Sequence, residues 1–303
     1  MTRQTMPGLL PRMIAVMALL MLMYAVVVGA ALLAGFSWPV VVTGVVLAVL
    51  LQWCATERLA RATTGAQIVT ADEEPELHGA LDRLCALNDV AKPRVAVSPD
   101  PVPNAFTLGR SKRHTTIVVT RGLLEILEPD ELGAALAHEV AHIRHRDVAV
   151  MTLASSLAIA MSWSARVARD FVRRNSKPVP FFRQIRDLPI AFMVAGTYPL
   201  IIVLGLCGLL AQLPLRALGR YRELAADHDA AVQTRQPALL AATLLKIGNS
   251  DMVPRTDLRA TARVPAIGLV AAKPVRLAWW STHPEIARRV DRLTALSDTP
   301  ATR

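Results

Sequence analysis

The chain has 303 residues, of which 53% are hydrophobic and 19% are charged, and its formal net charge is +10 at pH 7. Soluble domains carry about 25% charged residues, and here the uncharged residues lie in long blocks, which excludes a disordered chain and disfavours an ordinary soluble enzyme. In so hydrophobic a chain, the positive charge indicates contact with the anionic face of a membrane and not with nucleic acid. The three cysteines form no C-x-x-C pair, so a metal site would have to use histidines and carboxylates.

Residues 1–56 are predicted to form a transmembrane hairpin. Met13–Phe36 is an uncharged run of 24 residues, which as a helix would extend roughly 36 Å, against a hydrocarbon core of about 30 Å. After a short turn, Trp38–Cys54 is again uncharged. A cleaved secretory signal is disfavoured because the apolar run is too long and a second one follows directly. By the positive-inside rule both ends are cytoplasmic, since the basic residues flank the pair: Arg3, Arg12, Arg58 and Arg61.

A small mixed domain is predicted for residues 57–147. Leucines at helical spacing, or a proline followed by acidic residues, indicate its helices, and short β-branched runs indicate its strands. In chain order the predicted elements are a helix at Glu76–Val90, a strand at Arg94–Val97, an edge strand at Asn104–Leu108, a strand at His114–Thr120, a short helix at Gly122–Leu127 and a helix that begins at Pro129. The expected fold class is therefore mainly α with a small β-sheet.

Two further uncharged blocks, Val148–Ala165 and Leu188–Leu215, predict a second hydrophobic helix pair over residues 148–215. Seven basic residues lie between the blocks, from Arg166 to Arg186. Two full crossings of the membrane would place these residues outside, against the positive-inside rule, whereas a re-entrant pair would keep them beside cytoplasmic lipid. Both arrangements stay open, with two crossings preferred. The rest of the chain, residues 216–303, is again soluble in character.

One short sequence carries the chemistry, His138-Glu139-Val140-Ala141-His142, which is an H-E-x-x-H pattern in the helix that begins at Pro129. Four residues advance a helix by about 400°, so both imidazoles lie on one face and can bind one zinc ion. Glu139 would reach a water on that ion without binding the ion itself, which makes it the candidate general base. The third histidine of a metzincin is absent. His145 either competes as a ligand or, as we favour, is a polar residue of the last helical turn.

The candidate third ligand is Glu223, because a catalytic zinc ion needs three protein ligands and an open position. Glu223 and Asp227 are four residues apart and so lie on one face of a second predicted helix. From that face, Asp227 could accept a hydrogen bond from a ligand imidazole and fix its tautomer. The spacing alone equally allows a solvated helix with ordinary i,i+4 charge pairs.

Four motifs, taken in order, resemble those of the HtpX-like membrane metalloproteases, which are gluzincins related to the CAAX prenyl protease. They are N-A-F-T-L-G at Asn104–Gly109, H-E-V-A-H with H-R-D at His138–Asp147, R-x-R-E-x-x-A-D at Arg220–Asp227, and S-T-H-P at Ser281–Pro284. The likeness covers Arg12–Leu293. One position departs from the family pattern, since Gly219 stands where the family often has serine, and no catalytic role depends on it.

The resemblance implies one zinc ion per chain and a role for each motif. Glu223 would be the third ligand and Glu139 the catalytic acid/base. His283 would lie near the zinc and stabilise the oxyanion, and Arg289, one helical face further on, would contact the substrate. Asn104, Ala105 and Phe106 would form the strand that binds the substrate. An extended substrate would add to that strand by main-chain hydrogen bonds.

We therefore expect an integral membrane gluzincin-type zinc endopeptidase, multi-pass in a bacterial plasma membrane, with its active site on the cytoplasmic face. Residues 57–147 and 216–303 would be the two parts of its catalytic domain. The resemblance implies that its polypeptide substrates are misfolded or damaged membrane proteins, cleaved beside the lipid as part of protein quality control and the stress response. A CAAX-type processing protease is an alternative, although more spans would be expected of it. A catalytically silent membrane scaffold is disfavoured because no motif residue is missing.

Overall fold

The computed structural model describes residues 9–33, 37–111, 114–147, 150–151, 166, 169–170, 173–174, 188–249, 267–268 and 284–297. In these ranges the helices are α1 (Leu9–Leu33), α2 (Trp38–Thr64), α3 (Pro75–Asn88), α4 (Arg121–Ile126), α5 (Pro129–His145), α6 (Leu188–Thr234), α7 (Pro237–Gly248) and α8 (Ile286–Ser297). The strands are β1 (Gln67–Ile68), β2 (Arg94–Ser98), β3 (Ala105–Ser111), β4 (His114–Thr120) and β5 (Ile267–Gly268). The predicted class, mainly helical with a small sheet, is confirmed.

The five strands form one mixed sheet in the order β1-β2-β4-β3-β5. Only β2 and β4 run parallel, and the other neighbours are antiparallel. β3 was predicted as an edge strand, but it lies between β4 and β5, with Phe106 paired to Gly268 and Thr107 paired to Ile267. The prediction was wrong along these two residues because the pairing partner comes from a distant part of the chain, which strand propensity does not convey.

Side chains along the strands alternate between the two faces of the sheet, and both faces contain buried apolar residues. Val95, Ile117 and Ala105 face the main core, which also contains residues of α3, α5, α7 and α8. The opposite face is a smaller cluster formed by Ala96, Phe106, Leu108 and Val118. Since successive residues of a strand point to opposite faces, Thr107 lies on the same face as Ala105 and is directed towards α5.

Helix α5 has a strongly defined beginning and end. Pro129 occupies the first turn, and Glu128 and Glu131 form a reciprocal capping box, which satisfies backbone N–H groups that have no partner within the helix. The helix ends at Arg146, which adopts a left-handed conformation with φ of 59°. Residues 134–143 of α5 are buried almost without interruption, so the H-E-x-x-H sequence lies inside the protein.

A close approach of two backbones fixes the turn between β3 and β4. Gly109 has φ of +156°, and a Cβ atom added there would lie 2.4 Å from the carbonyl oxygen of His114. Only glycine fits such a contact, because the neighbouring atom is backbone and cannot move aside. The backbone geometry of this turn therefore explains why the N-A-F-T-L-G motif ends in glycine.

The two N-terminal helices have apolar surfaces. α1 packs on α6, where Val16, Met17 and Met23 contact a cluster built on Ala211, Leu215 and Leu218. Large apolar side chains elsewhere on α1 and α2 are exposed, among them Ile14, Met21, Leu22, Trp38, Val40 and Leu51. Across the described ranges, no helix combines the length and the apolar character that crossing a membrane requires.

Two helices extend further than the uncharged runs that predicted them. α2 continues from the predicted end at Cys54 to Thr64 and stops at Gly65, which adopts a left-handed conformation with φ of 61°. α6 passes without a break from its apolar part through Leu215 to the segment that contains Glu223. A charged residue ends an uncharged run of the sequence, but it does not end a helix. A helix ends at a capping residue or at a change of backbone conformation.

Candidate metal centre

Helices α5 and α6 bring three potential metal ligands together. His138 and His142 project from one face of α5 and are fully buried, and Glu223 of α6 is 3% exposed. The two Nε2 atoms are 3.1 Å apart. Glu223 Oε2 lies 3.6 Å from His138 Nε2, and Glu223 Oε1 lies 3.7 Å from His142 Nε2. Among the described residues, these three form the group of side chains that could hold one metal ion.

Each imidazole has a carboxylate on its other side. His138 Nδ1 lies 2.9 Å from Asp227 Oδ1, and His142 Nδ1 lies 2.5 Å from Asp147 Oδ2. A carboxylate at Nδ1 favours the tautomer that carries its proton there, so the Nε2 lone pair of each ring is directed at the shared centre. Asp227 occupies the position expected of it from its spacing to Glu223.

The donor set fits a zinc ion. Tetrahedral zinc with bonds of about 2.0–2.1 Å separates its ligand atoms by roughly 3.3 Å, and the three separations measured here are 3.1, 3.6 and 3.7 Å. Two imidazole lone pairs and a carboxylate that converge in a buried space produce a negative potential, which a cation offsets. Two imidazoles with one carboxylate are also the protein ligands of known catalytic zinc sites.

The pKa values of the two histidines shift in opposite directions. Burial lowers the pKa of His138, but its contacts with Asp227 and Glu223 outweigh burial and raise the pKa to about 9. Burial and the neighbouring His138 hold the pKa of His142 well below its usual range.

Each of the two carboxylates is in turn paired with a buried arginine. Arg289 of α8, which is 1% exposed, donates from Nε and Nη2 to the two carboxylate oxygens of Asp227 at 2.7 and 2.6 Å. Its Nη1 lies 3.8 Å from Glu223 Oε2. Arg222 of α6, which is 3% exposed, forms an ion pair with Asp147. Two series of contacting side chains, each made of a histidine, an aspartate and an arginine, therefore support the candidate metal centre.

The ion pair with Arg289 keeps Asp227 charged. Burial raises the pKa of Asp227, but Arg289 and His138 more than offset this and lower the pKa to about 2. Burial lowers the pKa of Arg222 to about 9. Arg289 was predicted to lie beside the substrate; the structure places it in the bidentate pair with Asp227, and a contact with substrate stays a prediction.

Glu139 is fully buried on α5 next to the first histidine. Its Oε2 accepts a hydrogen bond of 2.7 Å from the hydroxyl of Thr107 on β3. The neighbouring Ala105 and Phe106, predicted to bind substrate, lie on the same strand, and Asn104 directly precedes it and exchanges hydrogen bonds with Thr120. The predicted substrate strand thus runs past the candidate base.

One sequence-predicted residue, His145, lies apart from this cluster. His145 contacts Asp229 in the last turn of α5 and is 29% exposed, in keeping with the favoured view that it is a polar residue and not a ligand. His283 falls outside the described residues, so its predicted role near the oxyanion stays a prediction. The sequence analysis assigned no role to three residues that the structure places around the site: Thr107, Asp147 and Arg222.

Comparison with known proteins gives consistent matches. The family model described as Peptidase family M48 matches residues 71–297. Protease HtpX homolog 1 of Streptomyces coelicolor is 37% identical over 96% of this chain and 94% of its own length. Protease HtpX homolog 2 of Methanosarcina mazei is 36% identical, with 94% of both chains covered. Protease HtpX homolog of Moorella thermoacetica is 35% identical over 95% of this chain and 94% of its own.

One solved structure shares the fold. The crystal structure of S. mikatae Ste24p aligns with a TM-score of 0.53 at 18% sequence identity, over 84% of this chain and 58% of that one. At this level of identity the likeness shows the fold alone. The chain also spans less than two thirds of the length of Ste24p, so nothing about activity follows from this match.

Proposed function

Because this chain belongs to peptidase family M48, we propose that it is a membrane-bound zinc endopeptidase whose ion is held by His138, His142 and Glu223. One observation carries the proposal above all, namely the convergence of two buried imidazoles and a carboxylate on one point, with a carboxylate behind each ring. One zinc ion per chain would satisfy this set. The ion would polarise the scissile carbonyl and acidify the attacking water.

Glu139 is the proposed acid/base. It lies one residue from His138 on α5, so its carboxylate is beside the metal centre, while its position around the helix keeps it out of the ligand group. Its carboxylate would accept the proton of the attacking water and later donate it to the leaving amine. Burial of the side chain excludes bulk water, which would otherwise compete for this proton.

Asp147 and Asp227 would hold the ligand rings in place. Each aspartate would fix the tautomer and orientation of one imidazole, and each is paired with a buried arginine. Arg222 and Arg289 balance the two aspartates, so the carboxylates of Glu223 and Glu139 leave two negative charges in the buried site. The two positive charges of a zinc ion would offset these two.

An extended polypeptide would bind along β3. Main-chain hydrogen bonds from Asn104, Ala105 and Phe106 would give affinity without strong sequence preference. β5 already pairs with β3 at Phe106 and Thr107, and one strand edge holds one partner at a time. A substrate that used this edge would therefore take the place of β5 at these two residues.

We assign the protein to a bacterial plasma membrane, with its catalytic site on the cytoplasmic face. The exposed apolar side chains of α1 and α2 support this assignment, because soluble proteins rarely expose so many of them together. Misfolded or damaged membrane proteins are the proposed substrates, cleaved close to the lipid. This quality-control role fits the relatives named as HtpX homologues, and no observation favours a CAAX-type processing activity.

The decisive experiment is proteolysis of an unfolded protein substrate by the purified full-length enzyme. Activity should disappear with a zinc chelator and return with zinc, and the Glu139→Gln variant should be inactive although it retains zinc. A chelator-resistant activity, or a fully active Glu139→Gln variant, would overturn the proposal. Extraction of cell membranes at alkaline pH tests the location, since an integral protein stays with the lipid.

A further inference from the structure

The hydrogen bond between Thr107 and Glu139 links the sheet to the catalytic helix. Thr107 Oγ1 donates to Glu139 Oε2 at 2.7 Å, and both residues are 0% exposed. The same hydroxyl lies 3.4 Å from the main-chain oxygen of Glu139. Water therefore has little access to this contact, and the hydroxyl is held directly against the carboxylate.

Thr107 is itself held rigidly. Its backbone pairs with Ile117 of β4 on one side and with Ile267 of β5 on the other. A β-branched side chain in a strand has restricted rotation about χ1, so the hydroxyl has few alternative directions. Glu139 has more rotatable bonds and depends on its neighbours for a fixed position. The strand thus supplies a fixed donor to a flexible acceptor.

The hydroxyl contacts only one of the two carboxylate oxygens. Thr107 approaches Oε2, so it does not occupy Oε1. A carboxylate anchored through one oxygen can exchange a proton through the other without losing its orientation. A general base works only when its oxygen lies within hydrogen-bonding reach of the proton that it removes.

We propose that Thr107 is a positioning residue for the reaction, and that its hydroxyl fixes the Glu139 carboxylate in the orientation needed for proton transfer. This inference rests on the proposed role of Glu139 as acid/base. The hydrogen bonds of the Thr107 hydroxyl go to Glu139, so we expect it to act on the chemical step and not on metal affinity. It occupies one of the two unspecified positions of the N-A-F-x-x-G motif, where the motif itself assigns no role.

The test compares Thr107→Val, which keeps the shape but removes the donor, with Thr107→Ser, which keeps the donor. Thr116→Val is the matched control: Thr116 is equally buried on the neighbouring strand β4, and its hydroxyl has no hydrogen-bond partner among the described residues. For each full-length variant, kcat, KM and zinc content are measured. Misplacing a reacting group by about 1 Å costs up to roughly 100-fold in rate, so we expect Thr107→Val to lower kcat about 10-fold, with KM and zinc content unchanged.

Thr107→Ser should recover most of the lost kcat, and Thr116→Val should match the wild type. Equal losses in Thr107→Val and Thr107→Ser would mean that any change of this side chain disturbs the site whether or not the hydroxyl is kept, and would overturn the inference. Full kcat in Thr107→Val would also overturn it. These outcomes differ from failure of the proposed function, which would appear as full activity in Glu139→Gln.

A second measurement needs neither activity nor metal. In the zinc-free protein, loss of one buried hydrogen bond should lower the melting temperature of Thr107→Val by about 2–4 °C. The same substitution in a Glu139→Ala background should give no such decrease, because the acceptor is gone. An equal decrease in both backgrounds would show that the Thr107 hydroxyl does not stabilise the protein through the Glu139 carboxylate, and the inference would fail.

Discussion

Asp147 and Asp227 occupy matching positions behind the two histidines. Asp147 lies at Nδ1 of His142 and Asp227 lies at Nδ1 of His138, although one aspartate follows α5 and the other belongs to α6. Both are almost fully buried, and both are paired with an arginine. The two ligand rings are therefore oriented by the same kind of contact, provided from different parts of the chain.

The matching positions predict matching effects on zinc affinity. Asp227→Asn and Asp147→Asn should each weaken zinc binding or activity by roughly 10–100-fold without abolishing either. The reason is that asparagine keeps the shape but no longer carries the charge that stabilises the Nδ1 proton. Competition with a chromogenic chelator measures the affinity. If either variant bound zinc as tightly as the wild type, that aspartate would be structural only.

Substitutions within the H-E-x-x-H sequence should separate metal binding from chemistry. Glu139→Gln should retain one zinc ion and lose at least the 10²–10⁴-fold that general acid–base catalysis contributes, measured as kcat. His138→Ala and His142→Ala should lose both zinc and activity, because two remaining ligands cannot form a catalytic site. Zinc content by elemental analysis makes the distinction. Loss of zinc in Glu139→Gln would mean that Glu139 is a ligand or a structural residue.

The pair of Arg222 and Asp147 should reveal the cost of an uncompensated buried charge. Arg222→Met leaves the buried Asp147 without its cationic partner, and breaking a buried ion pair costs about 3–5 kcal/mol in free energy of unfolding. The double variant Arg222→Met/Asp147→Asn removes both charges and should regain most of this stability. Urea unfolding of the detergent-solubilised protein measures it.

An exposed ion pair is the control for that comparison. Arg173 lies 3.4 Å from Asp170, and both side chains are more than half exposed. Arg173→Met should therefore change the free energy of unfolding by less than about 1 kcal/mol. If Arg222→Met were equally mild, the buried pair would contribute little, and the proposed support for His142 would be lost.

A fall in pH should weaken the contact that Asp229 of α6 makes with α5. Burial alone would raise the pKa of Asp229, but its contacts with His145 and Arg144 outweigh burial and lower the pKa below the ordinary value of 3.8. Because the pKa is lower in the folded state, the stabilisation is complete above about pH 4 and is lost as the pH falls through the folded-state pKa. Urea midpoints measured from about pH 6 to about pH 2 should fall less steeply in Asp229→Asn than in the wild type. The exposed Asp72→Asn serves as a control, and identical slopes in all three proteins would contradict the prediction.

Local patterns were sufficient for much of the catalytic domain. The leucines of α3 and the β-branched runs of β2 and β4 predicted their elements to within two residues, and Pro129 correctly predicted where α5 begins. The family and the enzyme class inferred from the motifs are confirmed by the match over residues 71–297. The placement of Glu223 and Asp227 on one face was also predictable, because helical spacing alone determines it.

Contacts between distant segments were not predictable in this way. Arg222 pairs with Asp147, and Thr107 with Glu139, across different elements, so no spacing along the chain indicates either pair. The arginine could have been suspected, because Arg222 precedes the predicted ligand Glu223 inside a motif. Thr107 carried no such signal, since its alternation with Ala105 and Phe106 gives its face but not the helix that covers that face.

The distance along the chain between His142 and Glu223 has a consequence for cellular stability. Eighty residues separate them, and an ion bound by both would close this loop in the folded protein. The entropic contribution to the free energy of closing a loop rises as (3/2)RT ln n, where n is the number of residues in the loop, and zinc would act as a removable cross-link between α5 and α6. The stabilisation would grow with the free zinc concentration, as RT ln(1 + [Zn]/Kd). A cell short of zinc would therefore hold not only less active enzyme but also less enzyme, since the uncross-linked chain opens more often to other proteases.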